Sequence, residues 1–334
     1  MASSQLDVPL TPDHDASSGP LETGHLISAY RIERPVGMGG MGWVYRARHE
    51  ISARSVALKI LREDQLAFDR SVDRMMREAT ILASVSHAGI PKFYECGLLD
   101  DGRPWIAMEL VEGLSLAQRL RGPLDADHVI DIIASAAEVL AAAHTRGVTH
   151  RDLKPENLIL ASDHTKFPVR VIDWGIAHHP NGARFTNMNE AIGTPTYMAP
   201  EQARGGQTGG HCDVYGLGVV AYQALTGRAP FLGATSVEIL VQHLNRPPPA
   251  LAPRCPDAPY GLVELVERML AKNYEERPSA AEVRSTLVKL RISRQTPAYL
   301  RLPIDDGVPL PVYEETKVTP VTTMRRVSWN DPDD

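Results

Sequence analysis

Cysteine, basic clusters and long apolar segments are all scarce in this 334-residue chain, and each shortage excludes a class of protein. The three cysteines, Cys96, Cys212 and Cys255, are odd in number and far apart, so the sequence indicates neither a disulfide framework nor a Cys-x-x-Cys metal site. The net charge is −6 at pH 7, and no long run of Lys or Arg is present. This balance argues against binding to nucleic acid or to an anionic membrane, because a basic face supplies the affinity for both.

Segments that would direct the chain into or across a membrane are also missing. The first 28 residues contain no Lys or Arg and no apolar core follows them, so no secretory signal is predicted. The longest apolar stretch, Val214–Leu225, is too short and too rich in glycine to span a bilayer. We therefore expect a cytoplasmic protein with no membrane-spanning segment.

What the sequence does contain is an ordinary globular composition, arranged as a small β-rich lobe followed by a larger helical lobe. In the first lobe, short β-like runs alternate with turn signals, and one amphipathic helix interrupts them between Val72 and Val85. The predicted strands are Tyr30–Val36, Trp43–Arg48, Val56–Leu61, Lys92–Leu98 and Trp105–Leu110.

Helical patterns dominate after Gly113. The predicted helices are Asp127–Thr145, Asp213–Leu225, Ser236–Asn245, Leu262–Leu270 and Ala280–Leu290, with β-like pieces at Leu158–Leu160 and Val169–Ile172. We divide the chain into a disordered extension at 1–29, a folded domain at 30–292 and a Pro-rich, acidic, flexible tail at 293–334. The two lobes of the folded domain cover about 30–110 and about 112–292.

A glycine-rich segment follows the first predicted strand: Gly37-Met38-Gly39-Gly40-Met41-Gly42-Trp43-Val44. Glycines at its first, third and sixth positions let the backbone approach phosphate oxygens and donate N–H bonds to them. The same spacing opens dinucleotide-binding folds, but there a helix follows at once, whereas Trp43–Tyr45 is typical of a strand. A β-hairpin over phosphates fits better, and a plain glycine-rich hairpin is the simpler alternative.

Two charged residues further along the chain are also suited to a ligand that carries phosphates. Lys59 ends the apolar run Val56-Ala57-Leu58-Lys59, where an ammonium would neutralise phosphates, although a lone lysine there is more often solvated. Glu78 lies on the amphipathic helix that follows and would hold that ammonium in place, although a lone helical glutamate is usually a surface charge. Neither residue carries the interpretation alone.

The decisive segment is His150-Arg151-Asp152-Leu153-Lys154-Pro155-Glu156-Asn157. Asp152 and Asn157 lie five residues apart across a proline-containing loop and so can face one site. A carboxylate there can accept a hydroxyl proton, and an amide oxygen can bind Mg²⁺. Asp173, in Asp173-Trp174-Gly175, follows the apolar strand Val169–Ile172 and offers a second oxygen ligand.

Together these motifs resemble the serine/threonine type of eukaryotic-like (Hanks-type) protein kinase, including the bacterial members. The resemblance runs from Tyr30 to Leu290 and includes Ala199-Pro200-Glu201. It implies an α+β, bilobal protein-kinase fold, with a small antiparallel β-sheet and one helix in the N-terminal lobe and mainly helices in the larger C-terminal lobe. It also implies ATP and Mg²⁺ as cofactors, with Mn²⁺ able to substitute, and protein serine or threonine hydroxyls as acceptors.

By this resemblance, Lys59 holds the α- and β-phosphates and pairs with Glu78. Asp152 orients the substrate hydroxyl and accepts its proton, while Asn157 and Asp173 bind the Mg²⁺ that bridges the phosphates. Phosphoryl transfer needs in-line positioning and neutralised charge more than covalent chemistry from the protein.

An adenine site between the lobes is implied as well. Its residues would be Val44 and Ala57 on one face, Ile159 on the other, Met108 as gatekeeper, and the backbone groups of Glu109 and Val111 at the purine edge. Ordinary core and hinge packing is the alternative for all of them.

The preference for serine and threonine rests on Lys154 and on the segment Gly193–Glu201. Lys154 would lie by the transferred phosphate, whereas tyrosine kinases have Ala-Ala-Arg in this stretch. Three structural roles are implied in addition: Thr194 bonds toward the catalytic aspartate and lysine, Glu201 pairs with Arg277, and Asp213 braces the catalytic loop.

Regulation is implied by Arg151, which in similar kinases receives a phosphate from the loop before the Ala-Pro-Glu motif. We hypothesise that Thr186 is autophosphorylated in trans within a dimer, with Thr194 and Thr196 as weaker alternatives. Glu190 would supply part of the negative charge permanently.

Trp174 departs from the family pattern, which has Phe at this position, and we expect its ring to slow or bias exchange between active and inactive arrangements. Every polar catalytic position matches, which disfavours the main alternative, a pseudokinase scaffold that binds nucleotide and a partner without turnover. The segment Gly193–Glu201 disfavours a third class, a small-molecule phosphotransferase of related fold. In the tail, Ser328 follows two arginines and resembles a basophilic-kinase site, with a solvated basic patch as the simpler alternative.

Overall fold

Two lobes make up the part of the chain described by this computed structural model, namely residues 21–38, 42–66, 71–162, 167–174, 195–206 and 208–293. The N-terminal lobe is an antiparallel sheet of six strands with one α-helix packed beside it. Its elements are β1 (Leu26–Ile27), β2 (Tyr30–Met38), β3 (Gly42–His49), β4 (Ser55–Leu61), α1 (Ser71–Ser84), β5 (Phe93–Leu98) and β6 (Pro104–Glu109). The strand order is β1-β2-β3-β4-β6-β5.

Alternation along β4 explains how this sheet holds both a core and a charged functional residue. On one face, Val56, Leu58 and Ile60 are buried in an apolar cluster of the N-terminal lobe. On the other face, Ala57 belongs to the cluster that contains the buried residues of α1. Because strand side chains alternate between faces, Lys59 lies on the same side as Ala57 and points toward α1.

Helices form most of the C-terminal lobe. They are α2 (Leu116–Arg119), α3 (Ala126–His144), α4 (Pro200–Ala203), α5 (Gly210–Thr226), α6 (Ser236–Asn245), α7 (Tyr260–Met269) and α8 (Ala280–Ser293). A small antiparallel sheet follows the hinge at residues 110–112 and consists of β7 (Gly113–Ser115), β8 (Leu158–Ala161) and β9 (Val169–Val171). Nearly all of α5 is buried, and α3 packs against both α5 and α8, so α5 forms the centre of this lobe.

The predicted α+β bilobal fold is confirmed, and each predicted strand and helix is present with ends that differ by a few residues. The start of the fold differs from the sequence-based boundary at residue 30, because β1 pairs with β2 and Ile27 is fully buried. A strand of two residues is too short to leave a periodic signal in the sequence. Across the described ranges, no helix combines the length and apolarity needed to span a membrane.

Candidate active site

The two loops that carry the predicted catalytic residues lie side by side, one before β8 and the other after β9. The amide of Ile172 donates to the carbonyl of Asn157 at 2.9 Å, and Nε2 of His150 lies 3.0 Å from the carbonyl oxygen of Ile172. His150 is fully buried, so this contact lies inside the lobe. The structure therefore brings the loop His150–Asn157 and Asp173 together.

Asp213, near the start of α5, fixes the first of these loops. Its Oδ1 accepts from the amide of Arg151 at 2.7 Å, and its Oδ2 accepts from the amide of His150 at 2.8 Å and lies 2.8 Å from Nε2 of His144. Burial by itself would raise the pKa of Asp213, but its contact with His144 and the nearby charges lower it, so the carboxylate is ionised. The predicted bracing contact is present in this form.

Asp152, Lys154 and Asn157 form the polar face of the catalytic loop. Nζ of Lys154 donates to Oδ2 of Asp152 at 2.8 Å, and Nδ2 of Asn157 donates to the carbonyl of Asp152 at 2.8 Å. Burial lowers the pKa of Lys154, but its hydrogen bond to Asp152 and that residue's charge outweigh burial and raise it. Because the Asn157 nitrogen is used within the loop, its side-chain oxygen is the atom that suits a hard cation.

A buried ammonium joins the two lobes. Nζ of Lys59 lies 2.8 Å from Oε2 of Glu78 on α1 and 2.5 Å from Oδ1 of Asp173. Burial disfavours the charged lysine, but the two carboxylates together outweigh burial and raise the pKa of Lys59. Lys59 in turn lowers the pKa of Asp173, whereas burial raises the pKa of Glu78. Asp173 is therefore ionised, with Oδ2 as the oxygen that would meet a cation.

The residue after Asp173 ties it to the rest of the site. Asp173 has a left-handed φ of 58°, which aspartate tolerates better than most residues. The Trp174 ring is buried 5.0 Å from the His150 ring, and its Nε1 donates to the carbonyl of Val171 at 2.9 Å. The phenylalanine usual at this position has no such donor. The indole therefore adds a hydrogen bond to the ring packing that a phenylalanine would make there.

The glycine-rich turn is described only at its two ends, because Gly39 and Gly40 lie outside the described residues. Gly37 lies at the end of β2, next to the exposed Met38, and Gly42 opens β3. A Cβ at Gly42 would lie 2.2 Å from the carbonyl oxygen of Ile60, so only glycine lets β3 approach β4 this closely.

Most of the predicted adenine-site residues lie near one another. Ala57 on β4 and Met108 on β6 are paired and belong to one apolar cluster, against which Val44 packs. Ile159 lies on β8 in the other lobe, and a Cβ at Gly113 would meet its Cγ2 at 3.0 Å. Ile159 therefore lies beside the chain that leaves the hinge.

Backbone groups at the hinge suit the predicted contacts with a purine. The amide of Glu109 donates to the carbonyl of Lys92 at 2.8 Å, so this donor is already used within the N-terminal lobe. In the described parts of the chain, the peptide groups of Val111 have no hydrogen-bond partner. The backbone N–H and C=O groups of Val111 are therefore available to a ligand.

An ion pair behind the hinge was not predicted from the sequence. The carboxylate of Glu109 accepts two hydrogen bonds from Arg170 on β9, at 2.6 Å and 3.1 Å. Arg170 is 3% exposed and also donates to the carbonyl of Ile90 at 3.4 Å. This pair connects the hinge to the strand that leads to Asp173. The sequence feature that indicates such a pair is the charged Arg170 inside the apolar run 169–172, because a buried charge requires a partner.

The segment from Pro195 to Ala203 is anchored from several sides. Both NH groups of Arg277 bind the carboxylate of Glu201, at 2.7 Å and 2.9 Å, which is the predicted pair. Gln202 accepts from the amide of Ala199 at 3.0 Å and donates to the carbonyl of Arg151 at 2.8 Å. Gln202 was not predicted from the sequence, because a glutamine in a short helix has no characteristic pattern. Other predicted residues, Gly175, Thr186, Glu190, Gly193, Thr194 and Ser328, lie outside the described residues.

Comparison with known proteins agrees with this geometry. A family model described as the protein kinase domain matches residues 30–287. The serine/threonine-protein kinase Pkn3 of Myxococcus xanthus is 38% identical over 281 residues, which are 81% of this chain and 51% of that protein. PknB of Mycobacterium tuberculosis, also named a serine/threonine-protein kinase, is 37% identical over 275 residues, which are 80% of this chain and 43% of PknB. The chain thus spans about half the length of these curated relatives, or less.

Solved structures show the same relationship. A mutant form of the PknI kinase domain from Mycobacterium tuberculosis superposes with a TM-score of 0.63 at 26% identity, covering 82% of this chain and 100% of the PknI domain. The fold, the sequence relatives and the family match agree, and the chain belongs to the protein kinase family.

Proposed function

We propose that this chain is the catalytic domain of an ATP- and Mg²⁺-dependent serine/threonine protein kinase. It transfers the γ-phosphoryl group of ATP to hydroxyl groups of protein substrates, its own included. The observation that carries the proposal is the position of Lys59, which is buried between Glu78 and Asp173 at 2.8 Å and 2.5 Å. This arrangement presents a fixed positive charge to phosphates and an ionised carboxylate to a metal ion.

Each polar residue of the site has a part in the proposed reaction. Asp152, oriented by its bond to Lys154, accepts the proton of the attacking hydroxyl, and Lys154 meets the transferred phosphoryl group. The side-chain oxygens of Asn157 and Asp173 would hold Mg²⁺, or Mn²⁺ in its place. When bound, the metal ion neutralises charge on the phosphate oxygens.

Serine and threonine are the proposed acceptors for two reasons. The catalytic loop has Lys154 rather than the Ala-Ala-Arg stretch of tyrosine kinases, and relatives that share 35–38% identity are named serine/threonine-protein kinases. Because the match covers only 36–51% of the length of those relatives, the proposal concerns the kinase domain and not the selection of substrates by other segments.

The test compares the wild type with Asp152→Asn, using Mg²⁺, radiolabelled ATP and myelin basic protein. Asp152→Asn keeps the shape of the side chain but cannot take up the hydroxyl proton, so its rate should fall by about 10²–10⁴-fold. Acid hydrolysis of the labelled product should yield phosphoserine and phosphothreonine. Equal incorporation by both proteins would refute the assigned chemistry, and nucleotide binding without transfer by the wild type would favour the pseudokinase scaffold.

Autophosphorylation of Thr186 in trans is part of the same proposal. Wild-type protein should phosphorylate the inactive Asp152→Asn protein, and the added Thr186→Ala substitution should abolish most of that labelling. Undiminished labelling or activity of Thr186→Ala would remove Thr186 as the switch. Labelling that does not depend on protein concentration would contradict transfer between two molecules.

A further inference from the structure

A line of hydrogen bonds runs through the C-terminal lobe and includes none of the residues assigned to ATP. Nε2 of His243 on α6 lies 2.9 Å from the carbonyl oxygen of Thr196, and Nδ1 lies 2.8 Å from the hydroxyl of Tyr215 on α5. Nζ of Lys272, which follows α7, donates to the same hydroxyl at 3.3 Å. His243 is fully buried at the centre of this line.

The direction of every bond in the line follows from its two ends. A carbonyl oxygen only accepts, so Nε2 of His243 must carry the hydrogen that faces Thr196. Burial and the charge of Lys272 lower the pKa of His243 to about 4, so the ring is neutral and Nδ1 is an acceptor. The Tyr215 hydroxyl therefore donates to Nδ1 and accepts from the ammonium of Lys272, which can only donate. One tautomer of His243 satisfies the whole line.

Packing holds the imidazole in this orientation. The Phe231 ring meets the His243 ring edge-on at 4.8 Å, and Nζ of Lys272 lies 4.3 Å above the Phe231 ring. Lys272 also donates to the carbonyl of His243 at 2.8 Å. Rotation of the ring would break both of its hydrogen bonds inside a buried space, where an unpaired polar atom is costly.

The far end of the line is next to the catalytic loop. A Cβ on Gly216 of α5 would lie 3.3 Å from the carbonyl oxygen of Leu153 and 3.4 Å from that of Tyr197. The short helix Pro195–Tyr197 therefore adjoins the residue that follows Asp152, and Thr196 and Tyr197 are partly exposed there. The catalytic loop and this partly exposed helix therefore both lie beside Gly216.

We propose that His243 is a positioning residue for the protein substrate. Through its Nε2–H bond to Thr196 it fixes the short helix Pro195–Tyr197 against which the substrate chain lies, and Tyr215 selects the tautomer that makes this bond. The inference rests on the proposed kinase function. It gives His243 a part in that function, although His243 contacts neither the nucleotide nor the acceptor hydroxyl. ATP binds through other residues, so the effect of His243 falls on the protein substrate alone.

Three substitutions separate this role from a general structural one. His243→Phe keeps a buried ring but removes both nitrogens, and Tyr215→Phe removes only the hydroxyl that selects the tautomer. His243→Gln restores one donor and one acceptor, so it is the conservative variant. The matched controls are His128→Phe on α3, whose side chain is 41% exposed, and Tyr260→Phe on α7, where the residue is 82% exposed.

The experiment measures initial rates for each protein against varied ATP and varied myelin basic protein, with a thermal melt to show that each variant is folded. His243→Phe and Tyr215→Phe should raise KM for the protein substrate about tenfold, the effect of one buried hydrogen bond, with KM for ATP unchanged. His243→Gln should return to within about threefold of the wild type, and both controls should match it. Nitrogen-15 NMR of wild-type protein should show His243 neutral, with the proton on Nε2.

The possible results separate a failure of the role given to His243 from a failure of the proposed kinase function. A wild-type protein that transfers no phosphate refutes the proposed function, and the inference with it. If the wild type is active, an unchanged KM for the protein substrate in the folded Tyr215→Phe variant overturns the inference alone. Equal rises in both KM values, or an NMR spectrum with the proton on Nδ1, would also overturn it.

Discussion

The carboxylate of Asp213 holds the backbone amide of Arg151 at 2.7 Å, and Arg151 has a left-handed φ of 67°. A non-glycine residue in this region stores strain, on the order of 1–3 kcal/mol, that surrounding contacts must offset. Here the amide is held by Asp213 and the carbonyl accepts from Gln202, so both peptide groups of the strained residue are fixed. Asp152 follows directly, and its position depends on this restraint.

Asp213→Asn should therefore weaken both stability and catalysis. The amide has one accepting oxygen where the carboxylate has two, so it cannot serve the amides of His150 and Arg151 together with His144. We expect a loss of about 2–3 kcal/mol in the free energy of unfolding and a fall in kcat of about 10²-fold as Asp152 shifts. Urea denaturation and initial rates measure both, with the exposed Asp257→Asn as control. A wild-type kcat in Asp213→Asn would show that the restraint is dispensable.

Removing the ammonium of Lys59 should chiefly reduce the efficiency with which the protein uses ATP. In Lys59→Met, two carboxylates, those of Glu78 and Asp173, lose the charge that holds them, and phosphates lose their fixed cation. We expect kcat/KM for ATP to fall at least about 100-fold. The exposed Lys92→Met is the matched control and should leave kcat/KM unchanged. Activity of Lys59→Met within threefold of the wild type would contradict the role given to this residue.

Motif-bearing residues of the site could be predicted from the sequence because their chemistry depends on local spacing. Asp152 and Asn157 share one loop, and β4 alternation aims Lys59 at α1, where Glu78 lies. The strands and helices followed from periodicity for the same reason. Periodicity predicts which face of a helix or strand is buried. It thereby also predicts on which side of the element the functional side chains lie.

Polar contacts between distant elements could not be predicted in this way. His243 and Thr196 meet only because α6 packs against the segment before α4, and Arg170 reaches Glu109 only because β9 passes behind the hinge. Periodicity places such residues inside the protein but does not name their partners. β1 was missed for a related reason, since two residues become a strand only through pairing with β2.

The Arg170–Glu109 pair gives a test of such a contact. Arg170→Met leaves the Glu109 carboxylate without its guanidinium in a largely buried position, which should cost about 3 kcal/mol of unfolding free energy. Adding Glu109→Leu removes the remaining charge, so the double variant should lose less than the sum of the two single variants. Urea denaturation of all four proteins measures this coupling. Arg46→Met breaks a more exposed pair with Glu33 and should cost under about 1 kcal/mol. Additive losses at Arg170 and Glu109 would rule out a coupled pair.

The buried His243 should make stability depend on pH in the acidic range. Its pKa is about 4 in the folded protein against 6.5 for an ordinary histidine, so the unfolded chain binds more protons between these values. Stability is therefore fully present above pH 6.5 and is lost as the pH falls toward 4. Between pH 7 and pH 5 this residue alone should remove about 2 kcal/mol.

Urea denaturation of wild type and His243→Gln at both pH values isolates this contribution, because every other titrating group is common to the two proteins. The wild type should lose about 2 kcal/mol more than His243→Gln over the interval. His128→Gln, at the exposed position on α3, should follow the wild type. Parallel losses in wild type and His243→Gln would mean that His243 is protonated in the folded protein. A protonated ring carries a hydrogen on Nδ1 as well, so Tyr215 could no longer donate to it, and the line of bonds would have to run differently.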